Sequence, residues 1–172
     1  MTLEVAEFQS PIGKIIVAVH DGRLCALRFE EHWPPMRAWL EKRFGQAEFR
    51  QAVDPGGVIT CLKKYFAGDF GALDAIAVDT GGTPFQQRVW EELRKIPAGH
   101  TVSYAHIAKA IGAPAAVRAV GAANGSNPVG IVLPCHRVIG SNGQLTGYGG
   151  GIERKRWLLA HESAQGELKV AS

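Results

Sequence analysis

Apolar and β-branched positions dominate the first thirty residues of the chain. Residues 3–8 carry apolar side chains before a turn, and the run Lys14–His20 is rich in isoleucine and valine, which favours a strand. Asp21-Gly22 is a strong hairpin signal, and apolar positions return over 24–29. The pattern predicts a β-hairpin within an antiparallel sheet, with Cys25 as a small strand residue.

Two helices are predicted between this hairpin and residue 66. Trp33-Pro34-Pro35 interrupts the pattern, so we expect the first helix from about Met36 to Phe44, with Trp39, Leu40 and Phe44 on or near one face. Asp54-Pro55 is a cap residue followed by proline, which is typical of a helix start. Apolar residues at helical spacing over 58–66, Cys61 among them, predict the second helix.

A short strand and a hinge-like stretch are predicted at the end of this half. Ala75–Val78 is apolar enough for a strand, and Asp79-Thr80-Gly81-Gly82 follows it. We place a domain boundary there. The expected fold class is α+β, with a small N-terminal domain over 1–80 and a mainly helical second domain over 81–172.

Three helices open the second half. Thr83-Pro84-Phe85-Gln86 satisfies the capping box, and Ser103 is the cap of a helix that ends at Gly112. Pro114 begins a third helix over 115–123. The two short helices on either side of Gly112-Ala113-Pro114 have the outline of a helix-turn-helix.

The third helix carries one long charged side chain, Arg118, among alanine, valine and glycine. Small residues favour close packing in a core, but they also let a backbone approach another macromolecule. Recognition helices that read bases usually carry several polar side chains. The pattern therefore favours binding to nucleic-acid shape or backbone, with Arg118 as a probe.

Composition narrows the function without deciding it. The 172 residues have a formal net charge of +3, which permits a polyanionic partner. No apolar run is long enough for a membrane span, and the acidic N-terminus is not a secretory signal. Three widely spaced cysteines favour neither disulfides nor a zinc site, so we expect no metal and a reducing cytoplasm. No cofactor and no obligate protein partner are expected either.

Candidate chemistry centres on Pro134-Cys135-His136, after the apolar run Ile131-Val132-Leu133. Proline restricts its predecessor, so we expect the end of a buried strand or extended segment there. A cysteine after such a run is often only part of the core. A reactive thiol needs a base, and His136, oriented by Glu162, would complete a Cys-His-acid triad. The triad suits a cysteine hydrolase or acyltransferase as well as an alkyl acceptor, but the helix-turn-helix and Arg118 favour nucleic acid.

The remaining segments complete the picture. Gly147-Tyr148-Gly149-Gly150-Gly151 lacks the lysine of a phosphate-binding loop and is interpreted as a pocket wall. The last helix, about Ile152 to His161, should turn Trp157, Leu158 and Leu159 inward and Arg154, Lys155 and Arg156 largely outward. The tail from Ser163 to Ser172 is expected to fray.

The second half resembles the O6-alkylguanine-DNA alkyltransferases (methylated-DNA–protein-cysteine methyltransferases). The likeness is strong from about Thr83 to Glu162 and looser before it, where the hairpin is still typical. The segments that carry it are Val102-Ser103-Tyr104, Arg118-Ala119-Val120-Gly121, Asn127-Pro128, Pro134-Cys135-His136-Arg137-Val138, Gly147-Tyr148 and Trp157-Leu158-Leu159-Ala160-His161-Glu162.

The resemblance implies a role for each catalytic residue. Cys135 would accept the alkyl group, and His136 would take its proton through a water while Glu162 orients the imidazole. Tyr104 would donate a proton or hydrogen bond to the guanine ring and crowd the DNA phosphate. Asn127 would brace the turn beside the active-site segment.

The resemblance also implies two binding surfaces and a ribonuclease-H-like N-terminal domain. Arg118 would fill the place of the flipped base in double-stranded DNA, entered through the minor groove without sequence specificity. The carbonyls of Cys135 and Val138 would read the guanine amino group. The DNA-binding residues would be Ser103, Tyr104, Arg118, Ala119, Ala123 and Arg137. The pocket residues would be Trp90, Val138, Tyr148, Gly149 and Gly150.

The function so implied is direct-reversal DNA repair, by irreversible single-turnover transfer from O6-alkylguanine, and O4-alkylthymine, to Cys135. A DNA-lesion binder without transfer and a cysteine hydrolase are the alternatives. Gly149 stands where some relatives carry serine, so a hydroxyl contact is absent and larger alkyl groups have room.

Overall fold

The computed structural model describes residues 1–163 and the backbone of Lys169–Ala171. The chain divides into two compact units, Met1–Thr80 and Gly81–Ser172. The first is built on a sheet and the second mainly on helices, which confirms the α+β class.

The first unit contains a four-stranded sheet in the order β3-β2-β1-β4. Its strands are β1 (Thr2–Ser10), β2 (Gly13–His20), β3 (Arg23–Phe29) and β4 (Glu48–Gln51). The first three are antiparallel, and the predicted hairpin turns at Asp21 and Gly22, both with positive φ (49° and 73°). β4 pairs parallel to β1, so the sheet is mixed rather than antiparallel throughout. Short, polar β4 carries no strand signal in the sequence.

Helix α1 (Trp33–Phe44) begins earlier than predicted. Its prolines occupy the first turn, where a missing N–H costs no hydrogen bond, so they start the helix instead of interrupting it. Met36 and Leu40 pack into the core with residues of the sheet, including Cys25. Trp39, which is expected on or near the same face as Leu40, is 36% exposed, whereas Leu40 is fully buried.

Helix α2 (Val58–Phe66) follows a short 3-10 turn, Pro55–Gly57. The Asp54 carboxylate accepts hydrogen bonds from the N–H of Ile59 (2.8 Å) and of Thr60 (3.2 Å), so its predicted capping role is confirmed. The strand expected over 75–78 is wrong. Phe70–Ala75 forms a 3-10 helix, and only Val78 pairs with β3, through a single bridge to Leu24.

The helices of the second unit lie close to their predicted positions. Thr83 and Gln86 form the reciprocal capping box, and the Ser103 hydroxyl caps α4. α5 starts two residues later than expected, because Ala116 still closes a turn onto Ala113. α4 and α5 form the predicted helix-turn-helix outline. The helices are α3 (Pro84–Leu93), α4 (Tyr104–Ala110), α5 (Val117–Gly125) and α6 (Ile152–Glu162).

A parallel three-stranded sheet of order β6-β5-β7 joins these helices, and the sequence does not predict it. Its strands are β5 (His100–Ser103), β6 (Val138–Ile139) and β7 (Lys169–Ala171). Because β7 pairs with β5, the expectation of a frayed tail is wrong there; residues 164–168 and Ser172 lie outside the described residues. The pairing of Val102 with Val138 sets the start of α4 beside the segment that follows Cys135. Within the described ranges, no helix is long and apolar enough to cross a membrane.

Candidate active site

Two tight turns lead into Cys135. Ile131 has a φ of 70°, and the N–H of Val132 donates to the Gly130 carbonyl at 2.8 Å, which defines a γ-turn. Pro134 (φ −80°, ψ 67°) is the centre of an inverse γ-turn, closed by the Cys135 N–H on the Leu133 carbonyl at 2.8 Å. Of the two alternatives expected over 131–133, a strand or an extended segment, the strand is therefore wrong, because this segment forms local hydrogen bonds instead of a ladder. It delivers Cys135 at the start of a 3-10 turn, Cys135–Arg137.

Three charged or titratable side chains form a buried cluster directly after the thiol. The Nε2 atom of His136 lies 2.8 Å from Oε2 of Glu162. Arg137 donates to both oxygens of Glu162, from Nε and Nη2, at 2.8 Å each. Its Nη1 donates to the Ile96 carbonyl at 2.6 Å, which anchors the cluster to the segment that follows α3. The structure thus brings His136 and Glu162 together as predicted.

The electrostatics of this cluster set the tautomer of His136. Burial opposes the ionisation of Glu162, but His136 and Arg137 outweigh it and hold the pKa of this carboxyl far below its usual range. Burial lowers the pKa of His136, and Glu162 opposes that effect only in part. A neutral imidazole beside a carboxylate must donate from Nε2, which leaves Nδ1 as a hydrogen-bond acceptor.

The Nδ1 atom of His136 is buried and has no hydrogen-bond partner among residues 1–163. An unpaired buried acceptor is costly, and in native proteins it often marks a functional site. Here it belongs to the residue next to Cys135. The arrangement can therefore take a proton from the thiol, directly or through one water.

Two asparagines hold the backbone around the thiol. Asn127 donates from Nδ2 to the Leu133 carbonyl at 2.8 Å and accepts from the Val129 N–H at 3.0 Å. Asn124, which the sequence reading missed, donates from Nδ2 to the carbonyl of Cys135 at 3.3 Å and is itself buried. Its signal in the sequence is a polar amide on a helix that, apart from Arg118, consists of small and apolar residues.

Lys155 is the second residue that the sequence reading missed. It was expected to point outward, but it is fully buried, and its Nζ donates to the carbonyls of Val138 (2.6 Å) and Thr146 (2.7 Å). Burial lowers its pKa to about 8, against the opposing charge of Cys135. Helical spacing could have found it, because Lys155, Leu158 and Glu162 lie on one face of α6.

The predicted pocket wall is partly assembled. The Tyr104 hydroxyl lies 3.2 Å from that of Thr146, which links the start of α4 to the glycine-rich loop. Tyr148 is half-buried, and its hydroxyl reaches within 3.8 Å of a Cβ built on Gly130. A Cβ on exposed Gly149 would meet no atom within 4 Å, so the loop has free space at that position. Gly150 is half-buried beside it.

The structure separates the expected DNA-binding residues into two groups. Arg118 and Ala119 are exposed on α5, and Tyr104 is half-buried. Ser103 and Ala123 are buried; the Ser103 hydroxyl caps α4, accepting from the His106 N–H at 3.0 Å.

Two further predicted site residues are buried and hydrogen-bonded inside the protein. Arg137, which is expected at the DNA surface, is buried (7% exposed), and its guanidinium donates to Glu162. Trp90, which is expected to line the pocket, is buried, and its indole N–H donates to the Ala123 carbonyl at 2.8 Å. Both side chains make hydrogen bonds in the interior of the second unit. Among the described side chains, no group of three His, Cys, Asp or Glu residues could hold a metal ion.

Known proteins resemble both units of the chain. The model of the 6-O-methylguanine DNA methyltransferase DNA binding domain matches residues 84–164, and that of the ribonuclease-like domain matches residues 5–80. The methylated-DNA–protein-cysteine methyltransferase of Shigella flexneri is 46% identical over 156 residues, which cover 89% of this chain and 91% of that protein.

Two solved structures extend the likeness to the fold. The crystal structure of the Mycobacterium tuberculosis O6-methylguanine methyltransferase is 44% identical with a TM-score of 0.80, covering 95% of this chain and 94% of its own. The structure of the M. tuberculosis protein in complex with DNA is 42% identical with a TM-score of 0.79, covering 97% and 96%. With both domain models matched and relatives of this identity over nearly the whole length, the chain belongs to the 6-O-methylguanine DNA methyltransferase family.

Proposed function

We propose that this protein repairs DNA by direct reversal, moving the alkyl group from O6-alkylguanine to Cys135 in a single, irreversible turnover. The observation that carries the proposal is the buried Cys135–His136–Glu162 arrangement, in which the imidazole keeps one acceptor nitrogen for the thiol. Family membership supports the same chemistry. The reducing cytoplasm is the proposed compartment, because it keeps the Cys135 thiol reduced.

The proposed alkyl transfer needs only the side chains of the protein and no cofactor. The thiol proton passes to Nδ1 of His136 through a water, and the thiolate attacks the alkyl carbon opposite the guanine oxygen. A carbon–sulfur bond forms as the carbon–oxygen bond breaks, and the electron pair moves into the purine. Tyr104 donates a proton or hydrogen bond to a ring nitrogen as guanine leaves. Water does not cleave the resulting thioether at a useful rate, so each molecule acts once.

The DNA contact is proposed to use the minor groove without sequence preference. Exposed Arg118 stands on a helix whose neighbouring side chains are small, so the backbone can approach the duplex. Flipping a nucleotide costs a few kcal/mol, least for a weakened pair. Arg118 offsets part of that cost by filling the vacated stack.

The flipped base is proposed to enter a pocket beside the active-site turn. The carbonyls of Cys135 and Val138 accept hydrogen bonds from its exocyclic amino group, and Tyr148 with Gly149 and Gly150 forms a wall. The free space at Gly149 leaves room for alkyl groups larger than methyl. O4-alkylthymine is a second proposed substrate.

Intact-mass spectrometry with a duplex containing O6-methylguanine tests the function. We expect a stoichiometric gain of one methyl group on the wild type and none on Cys135→Ser. An unchanged mass with retained DNA binding would leave a lesion-binding protein, and continuous turnover of an ester or amide would identify a hydrolase instead.

Arg118→Ala tests the flipping role. This variant should slow repair of duplex DNA by about tenfold or more, while its reaction with free O6-alkylguanine base stays close to wild type, because the free base needs no flipping. Equal slowing of both reactions would contradict the role. The affinity for DNA should also fall with salt, with a slope of about −0.9 per phosphate contacted.

A further inference from the structure

Two backbone carbonyls of the active-site segment accept hydrogen bonds from buried side chains on two different helices. Asn124, in the last turn of α5, donates to the carbonyl of Cys135 at 3.3 Å. Lys155, in α6, donates to the carbonyl of Val138 at 2.6 Å. These are the same two carbonyls that the proposed function assigns to the purine amino group.

Neither donor is an ordinary core residue. A fully buried ammonium loses its hydration, and lysine is almost never placed inside a protein without a specific partner. Lys155 donates to two backbone carbonyls, that of Val138 in β6 and that of Thr146 directly before the glycine-rich loop, and so links the strand to the start of the loop. Asn124 is buried on a helix that otherwise packs small residues.

We propose that Asn124 and Lys155 are specificity-determining positioning residues, which fix the carbonyls of Cys135 and Val138 so that both meet the exocyclic amino group of the flipped purine. The proposal rests on the proposed function. A carbonyl oxygen has two lone pairs, so one can bind the buried donor while the other faces the substrate. A donor on the first lone pair holds the peptide plane, and with it the direction of the second.

The consequence is discrimination by a single substrate group. Guanine carries the amino group, and hypoxanthine has the same ring system without it. A site built to hydrogen-bond a substrate N–H rejects the analogue that lacks it, because its own polar groups are left unpaired. If the carbonyls lose their supports, the preference should shrink even where transfer continues.

The test compares duplex oligonucleotides that carry O6-methylguanine or O6-methylhypoxanthine at the same position. The measured quantity is the ratio of the two second-order rate constants for methyl uptake on Cys135. Both substrates meet the same thiol, so a change in its ionisation alters both rates equally and cancels from the ratio. This separates positioning of the carbonyls from activation of Cys135 by the Lys155 charge.

We expect the wild type to prefer O6-methylguanine by roughly tenfold or more. In Asn124→Ala and in Lys155→Met the ratio should fall to about threefold or less. Lys95→Met, which removes an exposed lysine paired with Glu92, is the matched control and should keep both rates and the ratio. Thermal unfolding identifies a variant that fails to fold, and the other variant then carries the test.

Three outcomes are distinguishable. A ratio that stays at the wild-type value in both folded variants, with both rates lowered equally, overturns the positioning role. A wild type that takes up methyl from both substrates equally fast overturns amino-group reading and leaves alkyl transfer intact. A wild type that takes up methyl from neither duplex refutes the proposed function itself.

Discussion

The chain buries two cysteines in different surroundings. Cys25 lies in β3 within an apolar cluster, where burial, with the charge of Asp79, raises its pKa to about 11. Cys135 is almost as buried, but it begins a turn that continues into the ion cluster of His136, Arg137 and Glu162.

The comparison shows that burial by itself makes a thiol inert. A low dielectric disfavours the thiolate, so a reactive buried cysteine needs charged or basic groups buried with it. Such a cluster is expensive to desolvate and is weak evidence of stability. The ion cluster in the second unit is therefore better explained by a reaction at Cys135 than by stability. The first unit, in contrast, packs apolar side chains around Cys25.

The largest expected difference between the two thiols is in alkylation by a reagent such as iodoacetamide at pH 7. With a pKa of about 11, Cys25 is ionised in only about one molecule in 10⁴. We expect Cys135 to react at least about a thousandfold faster, measured by peptide mass spectrometry over time. Comparable labelling of Cys25 in the folded protein would contradict this account of the difference.

Removing the carboxylate from the ion cluster should be the most damaging single change to the second unit. Glu162→Gln leaves Arg137 as a buried charge without its partner, which should lower the free energy of unfolding by about 3–5 kcal/mol. It also removes the negative charge that holds the His136 tautomer and stabilises the imidazolium, so the rate of alkyl transfer should fall by about a hundredfold or more. Urea unfolding and intact-mass kinetics measure the two effects.

The matched control lies on the same helix. Glu153 pairs with Arg156 at 2.7 Å across one turn of α6, and its side chain is 90% exposed. Glu153→Gln should change stability by less than about 0.5 kcal/mol and leave transfer unchanged. If both glutamate variants behaved alike, the special role of the buried cluster would be refuted.

The contrast between the two cysteines also explains what the sequence could predict. Local signals were reliable: the Asp21-Gly22 hairpin, the Thr83 capping box and the Ser103 cap all lie where expected, because each depends on neighbours within a few residues. The thiol and its two triad partners were likewise predictable, since motif spacing carries their identity.

What depended on distant partners was not predictable from local pattern. The γ-turns before Cys135 are held by the hydrogen bonds that Asn127 makes across the loop. The apolar run alone favours a strand there. Arg137 is expected to contact DNA, but its guanidinium binds Glu162, a residue distant in the chain. Lys155 is different: its charge favours a solvent-facing position, but its helical spacing with Leu158 and Glu162 places it on the buried face of α6.

At alkaline pH the two regions should respond with opposite sign. The folded pKa of Lys155, about 8, lies below that of the unfolded chain, so the unfolded state binds more protons between about pH 8 and 10.5 and stability rises with pH. The raised pKa of Cys25 reverses this: the unfolded state loses its proton first above about pH 9, and stability falls towards pH 11.

Urea unfolding from pH 8 to 10.5 separates these two contributions. In the wild type, Lys155 should raise the free energy of unfolding by about 2–3 kcal/mol over this pH range, and Lys155→Met should lack this increase. Cys25 should lower the same free energy by about 1–2 kcal/mol, and Cys25→Ala should lack this decrease. Difference curves that are flat with pH for both variants would contradict the opposed titrations.

The smallest expected effect concerns what each sulfur contributes to folding. Cys25→Ala removes a packed atom from the sheet core and should lower the free energy of unfolding near pH 7 by about 1 kcal/mol, with alkyl transfer unchanged. Cys135→Ala should abolish transfer yet change stability by no more than about 0.5 kcal/mol, because a functional site is not selected for its contribution to stability. Urea midpoints and methyl uptake, measured on both variants, give four values. If Cys135→Ala destabilised the protein as much as Cys25→Ala, the thiol at the active-site turn would also be a structural residue, and the division between a packing cysteine and a reacting one would fail.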